Sequence, residues 1–229
     1  MIPYGRQSID DEDIRAVNEV LRSDWLTTGP KVDQFEKAFA EEVDARHAVA
    51  VNSGTAALHA CMYATGVGPG DEVIVPAMTF AATANCVVYQ GGTPVFADIE
   101  QETLLISPNS VESLITDRTK AIIAVDYAGQ PCDYDTLNDL AERRGLILLS
   151  DACHSLGGLY KGRKVGTLAF LNAFSFHPVK HVTTGEGGMI TCDLKELADK
   201  MRLFRNHGIS TSLRQREASG SWYYEMCEL

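Results

Sequence analysis

Three short stretches bring together residue types that can do chemistry. Asn52-Ser53-Gly54-Thr55 follows the apolar run AVAV (48–51) and opens a helical pattern. Free amides at a helix N-terminus, a glycine that permits close approach and neighbouring hydroxyls form a phosphate cradle; the plainer reading is a Ser or Thr N-cap. In LLSDACHS (148–155), Asp151 stands at the end of a buried apolar run, where open α/β sheets bind ligands. A helix cap is the alternative there, and His154 reads equally well as a hydrogen-bonded structural imidazole. In AFSFHPVKHVTTGEGGM (173–189), Lys180 follows an apolar run and a proline-fixed turn, and Thr183, Thr184, Gly185, Glu186, Gly187 and Gly188 come after it. An amine held in so tight and partly buried a loop sheds its proton more readily and can form a Schiff base, although most lysines are only solvated charges.

Taken together, the three stretches match the needs of one cofactor. Pyridoxal phosphate requires a phosphate anchor, a partner for its pyridine nitrogen and an amine to capture its aldehyde. An aromatic side chain should also cover the ring, and Phe80 in PAMTFAAT, just past the apolar run VIV (73–75), is placed to do so. The order of these elements through successive strand ends is more specific than any one of them.

The elements that must position these residues are legible in the hydrophobic pattern. Short apolar runs stand at 48–51, 73–75, 95–97, 121–125, 146–150, 173–176 and 189–192, and most are hydrophobic on both faces, as buried strands are. Helix-length segments such as TAALHACMYAT, FAATANCVVYQ and YDTLNDLAERR separate most of them. That alternation describes an α/β fold with a mainly parallel, seven-stranded sheet covered by helices. The last two runs have no helix between them, which suits an antiparallel strand or an excursion around a site. Ahead of the sheet, Ile14, Val17, Val20 and Leu21 predict a helix capped by Asp10 or Ser8, and Val32, Phe35, Phe39 and Val43 predict a second after Gly29-Pro30. A further helix is expected near 194–206, ended by Asn206 and Gly208. GVGPGDE (66–72) follows a helix and precedes a strand, the reverse of the dinucleotide-binding order, and reads as a turn.

Composition narrows the partners. The 229 residues carry 20 Lys+Arg against 31 Asp+Glu, a formal charge of −11, which argues against nucleic acid or an anionic membrane surface. With 45% hydrophobic residues the chain is ordinary globular material. No apolar run approaches the ~20 residues of a membrane span, and MIPYGRQS lacks a signal-peptide core, so a cytoplasmic location is expected. Cys61, Cys86, Cys132, Cys153, Cys192 and Cys227 are scattered without a CxxC pair and read as reduced core thiols. The aromatic octet WYYEMCEL at the end predicts that a further domain would normally continue from here.

The segments NSGTAAL (52–58), DEVIVPAMTFAATAN (71–85), SDACHSLG (150–157) and SFHPVKHVTTGEGGM (175–189) resemble, in order, the motifs of the DegT/DnrJ/EryC1/StrS sugar aminotransferases. The resemblance covers the whole chain and implies the large domain of the aspartate aminotransferase (type I) fold. MIPYGRQSIDDEDIRAV, SDWLTTGP, AGQPCD (128–133) and WYYEMCEL are similar to the branch of pseudaminic acid biosynthesis that aminates a UDP-linked 4-keto-6-deoxy N-acetylamino sugar at C4, with glutamate as donor. Other C3 or C4 sugar aminotransferases of the family are the near alternative, and a truncated, non-catalytic cofactor-binding fragment is the alternative of another class. The dehydratase branch replaces the lysine with histidine, and Lys180 disfavours it.

Residue by residue, the resemblance implies that Lys180 forms the Schiff base and shuttles the proton, and that Asp151 keeps the pyridine nitrogen protonated. Phe80 would stack on the ring, Gly54, Thr55 and Ser175 would hold the phosphate, and His154 would lie near the phenolic oxygen. Tyr4 and the loop Asp24, Trp25, Leu26 and Thr27 would help hold the nucleotide-sugar, and no metal is called for. The implied organisation is an N-terminal helix and substrate loop (1–30), a cofactor-binding large domain (31–208) and the start of a connection (209–229) to a C-terminal small domain that this chain lacks. Family members are homodimers whose sites borrow residues from the partner, so the full-length form is expected to pair.

Overall fold

In a computed structural model, residues 5–209 are described. Asp10 starts the first helix, α1 (Asp11–Leu21), through a capping box: Asp10 Oδ1 accepts from the amides of Glu12 and Asp13 at 2.8 and 3.0 Å, and Asp13 Oδ2 accepts from the amide of Asp10 at 3.1 Å. Helix α2 (Pro30–Glu42) opens with proline at its first position, where no amide partner is needed. Then follow β1 (His47–Val51), α3 (Gly54–Ala64), β2 (Glu72–Pro76), α4 (Ala81–Tyr89), β3 (Thr93–Ala97), α5 (Pro108–Leu114), β4 (Thr119–Val125), a 3-10 turn at Tyr127–Gly129, α6 (Tyr134–Arg144) and β5 (Ile147–Asp151). A two-residue hairpin, β6 (Leu159–Tyr160) and β7 (Arg163–Lys164), precedes β8 (Leu171–Ser175), β9 (Gly188–Cys192) and α7 (Lys195–Arg205).

Seven strands form one sheet in the order β1-β9-β8-β5-β4-β2-β3. Every pair is parallel except those of β9, which runs antiparallel to both β1 and β8. The pair without a helix between them, β8 and β9, is therefore antiparallel, and the loop that carries Lys180 joins it. Alternating strand residues feed two cores. Ile74, Ile122, Leu148 and Phe174 face α2, α5 and α6 through Phe39, Val111 and Leu137. Val73, Ile123, Leu149 and Ile190 face α3, α4 and α7 through Leu58, Val87 and Met201. Burial on both faces is why these strands read as continuous apolar runs rather than alternating ones.

The sequence reading missed α5 and the β6–β7 hairpin. Helix α5 has only two turns and one buried residue, Val111, too little for a visible stripe. The 194–206 helix begins one residue later than expected, and Gly208, at φ 75°, returns its amide to Leu203 O at 2.7 Å. The 66–72 segment is a turn. Helix α1 has its predicted stripe, yet Ile14, Val17 and Leu21 are exposed and none of its residues is buried. The expected connection over 210–229, with WYYEMCEL and Cys227, lies outside the described residues, as does Tyr4.

β1 is an edge strand, and side chains occupy its free edge. Glu36 on α2, which is buried, accepts from Ala50 N at 2.9 Å, from Arg205 Nη1 at 2.7 Å and from Arg202 Nη2 at 2.8 Å. Arg202 and Arg205 in turn donate to Ala48 O and Ala50 O at 2.8 and 2.9 Å. The edge is thus closed to a further strand and locked to α2 and α7, three residues before Ser53.

Candidate active site

β1, β2, β4, β5 and β8 all point the same way, so the residues that follow them meet along one edge of the sheet, outside its strand carboxyl ends. After β1, Ser53 caps α3 by accepting from the amide of Ala56 at 3.0 Å. The N-cap reading of Ser53 is therefore correct, and it leaves the cradle available. Among the described residues the amides of Gly54 and Thr55 have no protein acceptor, so two donors and the positive end of α3 face the site.

Close packing builds the walls. A Cβ on Gly54 would lie 2.9 Å from Ser175 Cβ and 3.0 Å from Cys153 Sγ, which brings the first, second and third chemical stretches into contact. A Cβ on Gly188 would strike the carbonyl of Ser53 and come within 2.9 Å of Gly54 N. Gly188 pairs with both Val51 and Ser175, so β9 locks the cradle between its neighbours. The thiol of Cys153, assigned only to core packing from the sequence, is raised well above its ordinary value by burial and by the charge of Asp151. It is a neutral wall, and the described cysteines are all free.

Asp151 ends β5 and is buried. Thr83 Oγ1 donates to its Oδ2 at 2.8 Å and Cys153 N to its Oδ1 at 3.3 Å. Thr83 lies one turn into α4, shares a 2.7 Å hydrogen bond with Thr79, and returns its amide to Phe80 O at 3.1 Å. The first turn of α4 thereby ties the Asp151 carboxylate to the backbone of Phe80, whose ring is 76% exposed. Sequence reading missed Thr83. Its signal was the spacing of three from Phe80, which puts it on the same end of the helix.

Lys180 is half-buried in a turn closed by its own amide, which donates to His177 O at 2.8 Å. Thr183 Oγ1 and the amide of Thr184 both donate to Phe176 O, at 3.0 and 3.1 Å, and Gly185 N donates to Thr183 Oγ1 at 3.0 Å. Those bonds give the loop its shape without any partner from outside it. His154 is held below the ordinary histidine value by burial first and by the positive charge of Lys180 second, with Asp151 opposing. Lys180, His154, Cys153 and Asp151 therefore share one electrostatic neighbourhood.

The substrate-loop residues are placed differently. Asp24, Trp25, Leu26 and Thr27 are exposed, and the hydrogen bonds of this stretch are local, as from Trp25 N to Ser23 Oγ at 3.2 Å. Gly5 rests on Val179, with a Cβ position 3.4 Å from Val179 Cα, so the N-terminal segment reaches the Lys180 turn. A groove of about 540 Å³ is lined by Phe35, Phe39, Leu156, Leu159, His181 and Val182, so residues next to Lys180 form part of its wall.

A pyridoxal phosphate group fits this set: two unpartnered amides and Ser175 for a phosphate, a buried carboxylate for a ring nitrogen, an exposed aromatic for a ring face, and an amine beyond. Among the described residues no group of His, Cys, Asp and Glu is arranged to hold a metal, and no helix is long and apolar enough to cross a membrane.

Residues 7–226 match the model of the DegT/DnrJ/EryC1/StrS aminotransferase family. The spore coat polysaccharide biosynthesis protein SpsC of Bacillus subtilis is 50% identical over 226 residues, which are 98% of this chain and 58% of SpsC. Spr1654 from Streptococcus pneumoniae, solved in its PMP-form, superposes with a TM-score of 0.95 at 35% identity, covering 100% of this chain and 62% of that one. Helicobacter pylori PseC, an aminotransferase involved in the biosynthesis of pseudoaminic acid, superposes with a TM-score of 0.90 at 37% identity over 99% of this chain and 60% of its own. The chain belongs to the DegT/DnrJ/EryC1/StrS aminotransferase family. It spans about three-fifths of the length of these relatives.

Proposed function

We propose that this chain carries the cofactor-binding part of a pyridoxal-phosphate-dependent aminotransferase of nucleotide-linked keto-sugars. The observation that carries the reading is the convergence of Gly54, Cys153 and Ser175 with Asp151 and Lys180 at one set of strand ends. A Spr1654 structure in the PLP-form, 35% identical with a TM-score of 0.92, supports the cofactor.

When bound, the cofactor supplies an electron sink for breaking a Cα–H bond. The amides of Gly54 and Thr55 and the hydroxyl of Ser175 hold the phosphate at the N-terminus of α3. Asp151, fixed by Thr83, keeps a proton on the ring nitrogen, and Phe80 covers one ring face. His154 donates toward the phenolic oxygen. Lys180 would supply the amine that holds the cofactor's aldehyde carbon, and its Nζ, when free, would serve as the general base that moves the proton. Asp24, Trp25, Leu26, Thr27 and Tyr4 contribute to the nucleotide-sugar side.

The finer reading is amination at C4 of a UDP-linked 4-keto-6-deoxy N-acetylamino sugar, with glutamate as donor, by a homodimer in the full-length form. What supports it is the likeness of the opening, SDWLTTGP and AGQPCD segments together with the PseC relative. The test is a visible absorption spectrum of the purified chain with pyridoxal phosphate, repeated on Lys180→Ala and after adding glutamate. The expected result is a band that requires Lys180 and bleaches with glutamate. A folded sample without such a band would refute cofactor capture by this chain; a band that glutamate leaves intact would refute the donor.

A further inference from the structure

Asp126 stands one residue past β4, beside Asp151: Val125 pairs with Asp151 in the sheet, and Asp126 N donates to Asp151 O at 3.1 Å. Its side chain is fully buried and turned to the loop that follows Asp151. Ser155 Oγ donates to Asp126 Oδ2 at 2.6 Å, while Tyr134 OH and Cys132 N donate to Oδ1 at 2.8 and 3.0 Å. Tyr134 also meets Ser150, the residue before Asp151. One carboxylate therefore grips both ends of the segment 150–155, directly at Ser155 and through Tyr134 at Ser150.

The same segment is clamped from the turn after Asp126. Gly129, at φ 90°, leaves room for the carbonyl of His154, which a Cβ there would approach to 2.9 Å. Ala128 sits at φ 54°, a left-handed conformation that a non-glycine residue rarely adopts. A strained turn and a buried carboxylate with three donors are both directed at the loop holding Asp151 and His154.

We propose that Asp126 is a positioning residue, which through Ser155 and Tyr134 sets where Asp151 meets the ring nitrogen and where His154 meets the phenolic oxygen of pyridoxal phosphate. The proposal rests on the roles given to Asp151 and His154 above. Asp126 is fully buried, so its effect on the site would be on geometry. Removing it should loosen the loop without removing any group from the site.

Two variants test it. Ser155→Ala keeps the charge at 126 and deletes one donor; Asp126→Asn keeps the volume and removes the charge. Each is compared with the parent by equilibrium titration with pyridoxal phosphate and by an NMR titration of the His154 ring, alongside thermal unfolding. The expected result is about tenfold weaker uptake, the equivalent of one charge-assisted hydrogen bond, and a His154 pKa moved up toward its ordinary 6.5 as burial is relieved. A melting temperature that falls while the His154 titration stays put in both variants would mark a merely structural role and overturn the proposal, as would an affinity equal to the parent's. If the parent takes up no pyridoxal phosphate, the cofactor reading fails, and the His154 titration alone decides whether Asp126 positions the loop.

Discussion

Burial sets Asp126 apart from the other carboxylates around the site. It pushes the carboxyl up to about 6 from an ordinary 3.8, against the pull of the hydrogen bonds from Ser155, Tyr134 and Cys132. The folded chain therefore binds this proton more tightly than the unfolded one. The stability so gained is fully present below about pH 3.8 and is lost as pH rises through about 6. Asp126→Asn has no proton to lose, so the parent's stability relative to the variant should fall between pH 4 and pH 7 in urea unfolding; a difference constant over that range would contradict the assignment. Thr83→Val removes the 2.8 Å donor to Asp151 at almost unchanged volume. It should cost about 1–3 kcal/mol and weaken cofactor uptake, read by the same absorbance titration. Gly188→Ala drives a methyl into the Ser53 carbonyl. The expected loss is about 1–3 kcal/mol, and unfolding at the parental denaturant midpoint would show that β9 can move aside.

At the scale of elements, the cradle depends on an edge strand. β1 has β9 on one side and, in place of a strand on the other, the side chains of Glu36, Arg202 and Arg205. Glu36→Ala would strip the acceptor from both arginines and from the Ala50 amide. Breaking a buried pair costs about 3–5 kcal/mol, and the low end applies because the Arg202 and Arg205 side chains keep 33% and 25% of their surface in water. Chemical denaturation should show this loss, whereas a change under 1 kcal/mol would mean that water replaces the carboxylate. Helix α1 offers the contrast. Its Ile14, Val17 and Leu21 are exposed, so replacing any one by serine should change the stability of this chain by no more than about 0.5 kcal/mol.

For the whole molecule, the sheet order determines which parts hold longest. β4, β5, β8 and β9 lie in the interior of the sheet and are covered on both faces, while β3 is an edge with an exposed Phe96. Native-state hydrogen exchange should therefore be slowest in β4, β5 and β8 and faster in β3. Equal protection of β3 would mean that its free edge is covered in solution. β1 and β9 pair residues as distant as His47 and Cys192, so the cradle needs both ends of the described chain brought together. Cofactor uptake should report global folding, with its loss in denaturant coinciding with that of the far-UV signal.

Local chemistry was enough to make several features legible in the sequence alone. Short apolar runs, most of them apolar on both faces, announced all seven strands of the sheet, Asp10 or Ser8 marked the start of α1, and strand-end Asp151 and loop-bound Lys180 stood out because carboxylates and amines are costly in such places. Backbone approach has no such signature. That Gly188 must be bare because Ser53 lies against it, that Cys153 lines a wall with Gly54 and Ser175, and that Asp126 reaches Ser155 across two strand ends all follow from the order β1-β9-β8-β5-β4. Periodicity reports which face of an element is buried, but pairing partners are chosen by long-range packing. Only the assembled sheet could therefore decide which of the strand-end residues would meet.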